Sequence, residues 1–140
     1  MKDGYFNTKT AAQITGATQR QLQYWREKQI VIPTVKARGK GSNVFYTLPN
    51  LRKVAIMIFL LSHLVDFKGV LAIVDILEQQ YQSYLQPEFD QKLMVLLLPD
   101  LIALVEYKSD QATTAINQGY GVIPLWLDHI YNELNATINC

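Results

Sequence analysis

Ala11-Ala12-Gln13-Ile14-Thr15-Gly16-Ala17-Thr18-Gln19-Arg20-Gln21-Leu22-Gln23-Tyr24-Trp25-Arg26 is the stretch on which the fold turns. It reads as two short helices joined by a tight turn. Ala11, Ala12 and Ile14 give the first helix a small apolar face. Gly16 supplies the turn, where a positive φ costs glycine little. Thr18 is the expected N-cap of the second helix, because its hydroxyl can accept from the free amides of the first turn. Ala17, Leu22 and Trp25 fall on the inner side of that helix, and Gln19, Arg20, Gln23, Tyr24 and Arg26 stay outside. Such a pair, showing glutamines, a tyrosine and arginines outward, suits a helix-turn-helix lying in a DNA major groove. The plain alternative is a surface helix with a solvated polar face.

Charge favours the first reading. The 140 residues carry a net charge of only +1, with 49% hydrophobic and 18% charged residues, the balance of a globular core-former. Up to Lys53, however, ten Lys and Arg face two acids, Asp3 and Glu27, while the remainder holds three Lys against ten acids. A basic first third on an acidic remainder fits a nucleic-acid face joined to something that must not bind DNA.

Downstream, Ile30-Val31-Ile32-Pro33 and Val44-Phe45-Tyr46 are β-prone runs flanking a flexible basic loop, Lys36-Ala37-Arg38-Gly39-Lys40-Gly41-Ser42-Asn43. Two strands around such a loop predict a hairpin wing whose tip reaches phosphates beside the groove. Gly39 and Gly41 lack the strand-then-helix context of a nucleotide phosphate loop. Upstream, residues 1–7 form a polar lead-in, with Thr8 or Thr10 able to cap the first helix. After the wing, Thr47 caps a helix running to about Leu64, with Pro49 in its first turn. Leu51, Val54, Ala55, Ile58, Phe59 and Leu61 face the first two helices. Arg52 and Lys53 at its start add candidate phosphate contacts.

A helix from about Val70 to Tyr84 follows, with Leu71, Val74, Leu77 and Tyr81 recurring at three and four. It is either core or the element that pairs two copies, since protein two-fold symmetry mirrors that of an operator. Proline inside an apolar run suits a turn better than a helix interior, so residues 93–98 and 101–107 read as two strands joined at Pro99-Asp100. A short helix from Ser109 to Asn117, a turn at Gly119-Tyr120-Gly121, a strand at Val122-Ile123 and a helix from Leu125 to about Ala136 complete the chain. In that last helix Leu127, Ile130, Tyr131 and Leu134 point inward.

Other chemistries find little support. Cys140 is the one cysteine, so neither an intramolecular disulfide nor a multi-thiolate metal site can form within one chain. His63 and His129 stand far apart in sequence without paired carboxylates. No serine sits in a nucleophile-elbow phrase, so no enzyme activity is expected. The N-terminus lacks the apolar core of a signal peptide. The run Val54 to Val65 is too short to span a bilayer, so a cytoplasmic location away from membranes is expected.

At this point the residues resemble the MerR family of bacterial transcription regulators. The likeness lies in Thr15-Gly16-Ala17-Thr18, Leu22-Gln23-Tyr24-Trp25, Pro33 after an apolar triplet, and Tyr46-Thr47 leading to Leu51. The phrase Arg20-Gln21-Leu22-Gln23-Tyr24-Trp25 is most similar to an actinobacterial branch that includes a regulator of cell-division genes. That branch carries a small β-containing C-terminal domain instead of a metal loop. The resemblance covers about residues 5–80 and 93–138. It implies an α+β, mostly α fold: a winged helix-turn-helix in a four-helix DNA-binding domain (1–66), a helix leading to a dimer interface (67–85), and a small α/β C-terminal dimerisation or regulatory domain (86–140). It also implies a sequence-specific regulator that binds an inverted repeat of double-stranded DNA as a homodimer, without a cofactor. RNA polymerase is a further implied partner, and any effector is unspecified. By the same resemblance Tyr24 takes the place of a groove- and backbone-contacting tyrosine, and Lys40 stands where the wing meets phosphate. Departures are Gln23 for a common arginine, Arg26 for an acid, and Gly41-Ser42-Asn43-Val44 for a Gly-Tyr-Arg phrase. They bear on which base edges are read. The full expected contact set is Thr18, Gln19, Arg20, Gln21, Gln23, Tyr24, Arg26, Lys36, Arg38, Lys40, Ser42, Asn43, Tyr46, Arg52 and Lys53, with glutamines for adenine edges and Arg20 for guanine. An architectural or recombination-accessory DNA-binding protein, and a winged helix turned to protein interaction, are the competing readings.

Overall fold

The structure, a computed structural model, describes residues 4–38 and 41–139, with the side chains of 35–43 outside the description. In chain order the elements are β1 (Tyr5–Asn7), α1 (Thr8–Thr15), α2 (Gln19–Glu27), β2 (Thr34–Arg38), β3 (Gly41–Thr47), α3 (Leu48–Ser62), α4 (Phe67–Gln80), β4 (Lys92–Leu97), β5 (Ile102–Glu106), α5 (Ser109–Asn117), β6 (Gly121–Trp126) and α6 (Leu127–Ile138). This is the α+β, mostly helical class expected. Two compact units emerge: Met1–Phe59 with Ile130–Cys140, and Leu60–His129. The first of these units is therefore drawn from two separate stretches of the chain.

In the first unit a three-stranded antiparallel sheet runs in the order β1-β3-β2. The lead-in is thus a strand, its register set by Phe6 opposite Tyr46. Because that strand ends at Asn7, Asn7 caps α1 by accepting from the Thr10 amide at 2.8 Å, in place of Thr8 or Thr10. The expected strand at Ile30–Ile32 is corrected. The amides of Ile30 and Val31 both donate to the Trp25 carbonyl, at 2.8 and 3.2 Å, and finish α2 instead of joining a ladder. The first wing strand begins only after Pro33, at Thr34, and pairing persists to Arg38 opposite Gly41. Gly39 and Lys40, the expected tip, lie outside the described residues.

Thr47 caps α3 as expected. Its hydroxyl accepts from the Asn50 amide at 3.3 Å, and the Asn50 side chain accepts from the Thr47 amide at 2.9 Å. Asn50 also donates to the Ile32 carbonyl at 3.3 Å, tying the start of α3 to the approach of the wing. Leu51, Val54, Ile56 and Met57 are fully buried, so this helix buries more of its circumference than the expected stripe. Ile130, Tyr131 and Leu134 of α6 are buried too.

In the second unit Asp66 caps α4 by accepting from the Gly69 amide at 2.8 Å, which starts the helix three residues earlier than expected. The hairpin turning at Pro99-Asp100 is present, with Val95 opposite Leu104. β6 extends to Trp126 and takes Leu125 from the expected last helix. The sheet order is β5-β4-β6. Ala112 and Ala115 of α5 pack on Met94 and Leu96 across one face. On α4, Gly69 approaches β5 so closely that a Cβ there would stand 2.6 Å from Ile102 Cδ1. Among the described residues no helix is long and apolar enough to cross a membrane.

Candidate nucleic-acid interface

The turn between α1 and α2 closes on its own hydrogen bonds. Gly16 sits at φ +82°, and its amide donates to the Ala12 carbonyl at 2.9 Å. The Thr15 hydroxyl donates to the Ala11 carbonyl at 2.7 Å and accepts from the Ala17 amide at 3.2 Å. Ala17, Leu22 and Trp25 are buried, as expected, and fix how α2 is rotated about its axis.

At the start of α2 the Gln21 amide donates to the Thr18 hydroxyl at 2.9 Å, and the Thr18 amide donates to Gln21 Oε1 at 2.9 Å. This reciprocal capping box satisfies two orphan donors at once. The box engages Oε1 of Gln21, one of the glutamines expected at adenine edges, in the first turn of the helix. The Thr18-x-x-Gln21 spacing carried that signal.

Gln19, Arg20, Gln23 and Tyr24 are exposed, the outward face expected. Gln19, Gln23 and Glu27 form one column at helical spacing, and Arg20, Tyr24 and Lys28 the next. Gln23 Nε2 donates to Glu27 Oε2 at 3.2 Å, and Lys28 Nζ lies 5.7 Å from the centre of the Tyr24 ring. Glu27 and Lys28 are members of this face that the sequence reading passed over, although their i+4 spacing from Gln23 and Tyr24 was visible. Arg26 is half-buried.

The wing brings Lys36 opposite Asn43, Ala37 opposite Ser42 and Arg38 opposite Gly41. Lys53 of α3 is half-buried. Two expected contact residues are corrected. Tyr46 pairs with Phe6 in a sheet whose alternation turns both inward, and it is 0% exposed. Burial pushes its phenol above the ordinary pKa, with the Arg26 charge and the Thr8 hydroxyl pulling the other way. Arg52 is also buried, its guanidinium 5.7 Å from the centre of the Tyr131 ring. Both belong to the interior that supports the face. Among the described residues no three His, Cys, Asp or Glu side chains gather at a metal-holding spacing.

The sequence has counterparts among known proteins. The model of the MerR HTH family regulatory proteins matches residues 6–75, from β1 into α4. The chain belongs to the MerR HTH family. Within it, HTH-type transcriptional regulators of Mycobacterium bovis and Mycobacterium tuberculosis, described as uncharacterised, are 33% identical over 72 residues, 51% of this chain. The match spans 32% of the length of those relatives, about a third. The MerR match ends inside α4, so β4, β5, α5, β6 and α6 lie beyond it.

Proposed function

We propose that this chain is a DNA-binding transcription regulator that grips an inverted-repeat operator as a homodimer. One observation carries the reading. The buried side of α2, Leu22 and Trp25, holds the opposite side, with Gln19, Arg20, Gln23 and Tyr24, turned out to solvent on a domain of the MerR family. In this reading α2 enters the major groove, Arg20 and the two glutamines meet base edges, and Lys36, Arg38, Lys40, Ser42 and Asn43 of the wing anchor phosphates with Lys53. Tyr24 and Lys28 line the backbone beside the groove. The regulators named above are HTH-type as well. Selection of binding sites from random double-stranded DNA at fixed salt tests it. An enriched inverted repeat is the expected outcome, with affinity falling steeply as salt rises. Binding that ignores both sequence and salt would overturn the reading.

A further inference from the structure

The two edges of the β5-β4-β6 sheet are not equivalent, and the backbone phase says why. The Leu98 amide donates to the Leu101 carbonyl at 3.0 Å and the Tyr107 amide to the Lys92 carbonyl at 2.8 Å. With the register Met94 opposite Val105 and Leu96 opposite Ala103, residues 101, 103, 105 and 107 therefore bond inward to β4. Ile102, Leu104 and Glu106 turn their amides and carbonyls away from it. On β4 the odd residues then serve β6, through Leu93 opposite Leu125 and Val95 opposite Ile123. That leaves Val122, Pro124 and Trp126 facing outward on β6. Proline has no amide to offer, so the middle of the β6 edge cannot accept another strand. The β5 edge carries no such block.

The β5 edge is moreover complementary to itself. Turned about a two-fold axis at Leu104, the segment 100–108 brings Lys108, just past the end of β5, towards Asp100 of a second copy, in the turn that precedes β5, twice over. The same register sets Leu101, 58% exposed, against Tyr107, 37% exposed, again in both directions. These exposed apolar side chains would cover each other as non-hydrogen-bonded cross-strand neighbours, where side chains stand closest. The Tyr107 ring is already braced edge-on by Trp126, at an interplanar angle of 73° with 5.9 Å between ring centres. In this register the outward amides and carbonyls of Ile102, Leu104 and Glu106 all find partners.

We propose that β5 pairs antiparallel with β5 of a second copy about Leu104, joining two three-stranded sheets into one of six strands. Such an isologous contact closes at two copies. It deepens the homodimer part of the functional reading by naming the surface, and it is measured without DNA so that the two ideas fail separately.

The test is sedimentation of the full chain in reducing buffer across a concentration series, with circular dichroism confirming that each variant is folded. The wild type is expected to dimerise. Lys108→Asp and Asp100→Lys each set like charges together at two symmetric places, and each should weaken self-association by about tenfold, from two exposed pairs turned from attraction to repulsion. The double swap Asp100→Lys with Lys108→Asp restores opposite charges and should return the dimer to within a few-fold of the wild type. Glu106→Pro deletes one outward amide per copy while sparing the β4 ladder, and should also favour monomer. A wild-type monomer at high concentration overturns the proposal. So does a dimer indifferent to all four variants, which would place the contact on another surface such as α4.

Discussion

Thr18 and Gln21 hold each other by two hydrogen bonds of 2.9 Å, each supplying the acceptor for the other's amide at the mouth of α2. This box is what defines the first turn of the helix proposed to enter DNA. Thr18→Ala should lower unfolding free energy by about 1 kcal/mol in urea denaturation. Gln21→Glu, which keeps the reciprocal acceptor, should leave it nearly unchanged. Because the two residues form one unit, the Thr18→Ala, Gln21→Ala double variant should lose less than the sum of the singles.

Arg52 and Lys53 are neighbours in sequence with different tasks. Arg52 lies buried against the Tyr131 ring, so Arg52→Ala should cost stability, about 1–2 kcal/mol, and leave the salt dependence of DNA binding unaltered. Lys53→Ala should do the reverse: little change in unfolding, and a slope of log affinity against log salt reduced by about one. Thermal unfolding and titrations at several salt concentrations separate the two.

Gly69 marks a tight approach of α4 to β5. A Cβ there would meet Ile102 Cδ1 at 2.6 Å and Val65 Cγ1 at 2.9 Å. Alanine is the better helix former by about 1 kcal/mol, but the overpacking costs about 1–3 kcal/mol. Gly69→Ala should therefore destabilise, and adding Ile102→Val, which removes the nearer methyl, should recover part of the loss in calorimetry.

The Asp128 carboxylate is held below its ordinary pKa of 3.8, first by the hydrogen bond from Lys92 at 2.9 Å and then by the His129 amide and the Lys92 charge, against the opposing pull of burial. A depressed carboxylate stabilises the fold above its unfolded pKa and loses that contribution as pH falls through the folded value. With side chains 43% and 35% exposed, the pair is worth less than about 1 kcal/mol. Asp128→Asn should thus be slightly less stable than the wild type near neutrality. The gap should close as unfolding is followed down through the acid range below 3.8.

How far the sequence foretold this molecule depends on the range of the forces involved. Ala17, Leu22 and Trp25 were legible because one helix fixes their common side. Pro99-Asp100 was legible because a proline leaves few options. The strand at Tyr5–Asn7 was not, since three residues become a strand only by pairing with residues 45–47. Tyr46 and Arg52 were misplaced for a related reason. What buries them, Phe6 from the lead-in and Tyr131 from the last helix, lies far along the chain. Period-two alternation through Val44, Phe45 and Tyr46 did hint at the inward tyrosine. Nothing local hinted at the arginine.

The central claim is that the outward face of α2 reads base pairs, and it is tested most directly by comparing binding sites selected from random DNA by the wild type and by Arg20→Ala at one salt concentration. The account predicts that the variant binds about 1–3 kcal/mol more weakly and loses preference at a single position, repeated symmetrically in both half-sites. An unchanged selection profile with unchanged affinity would contradict it.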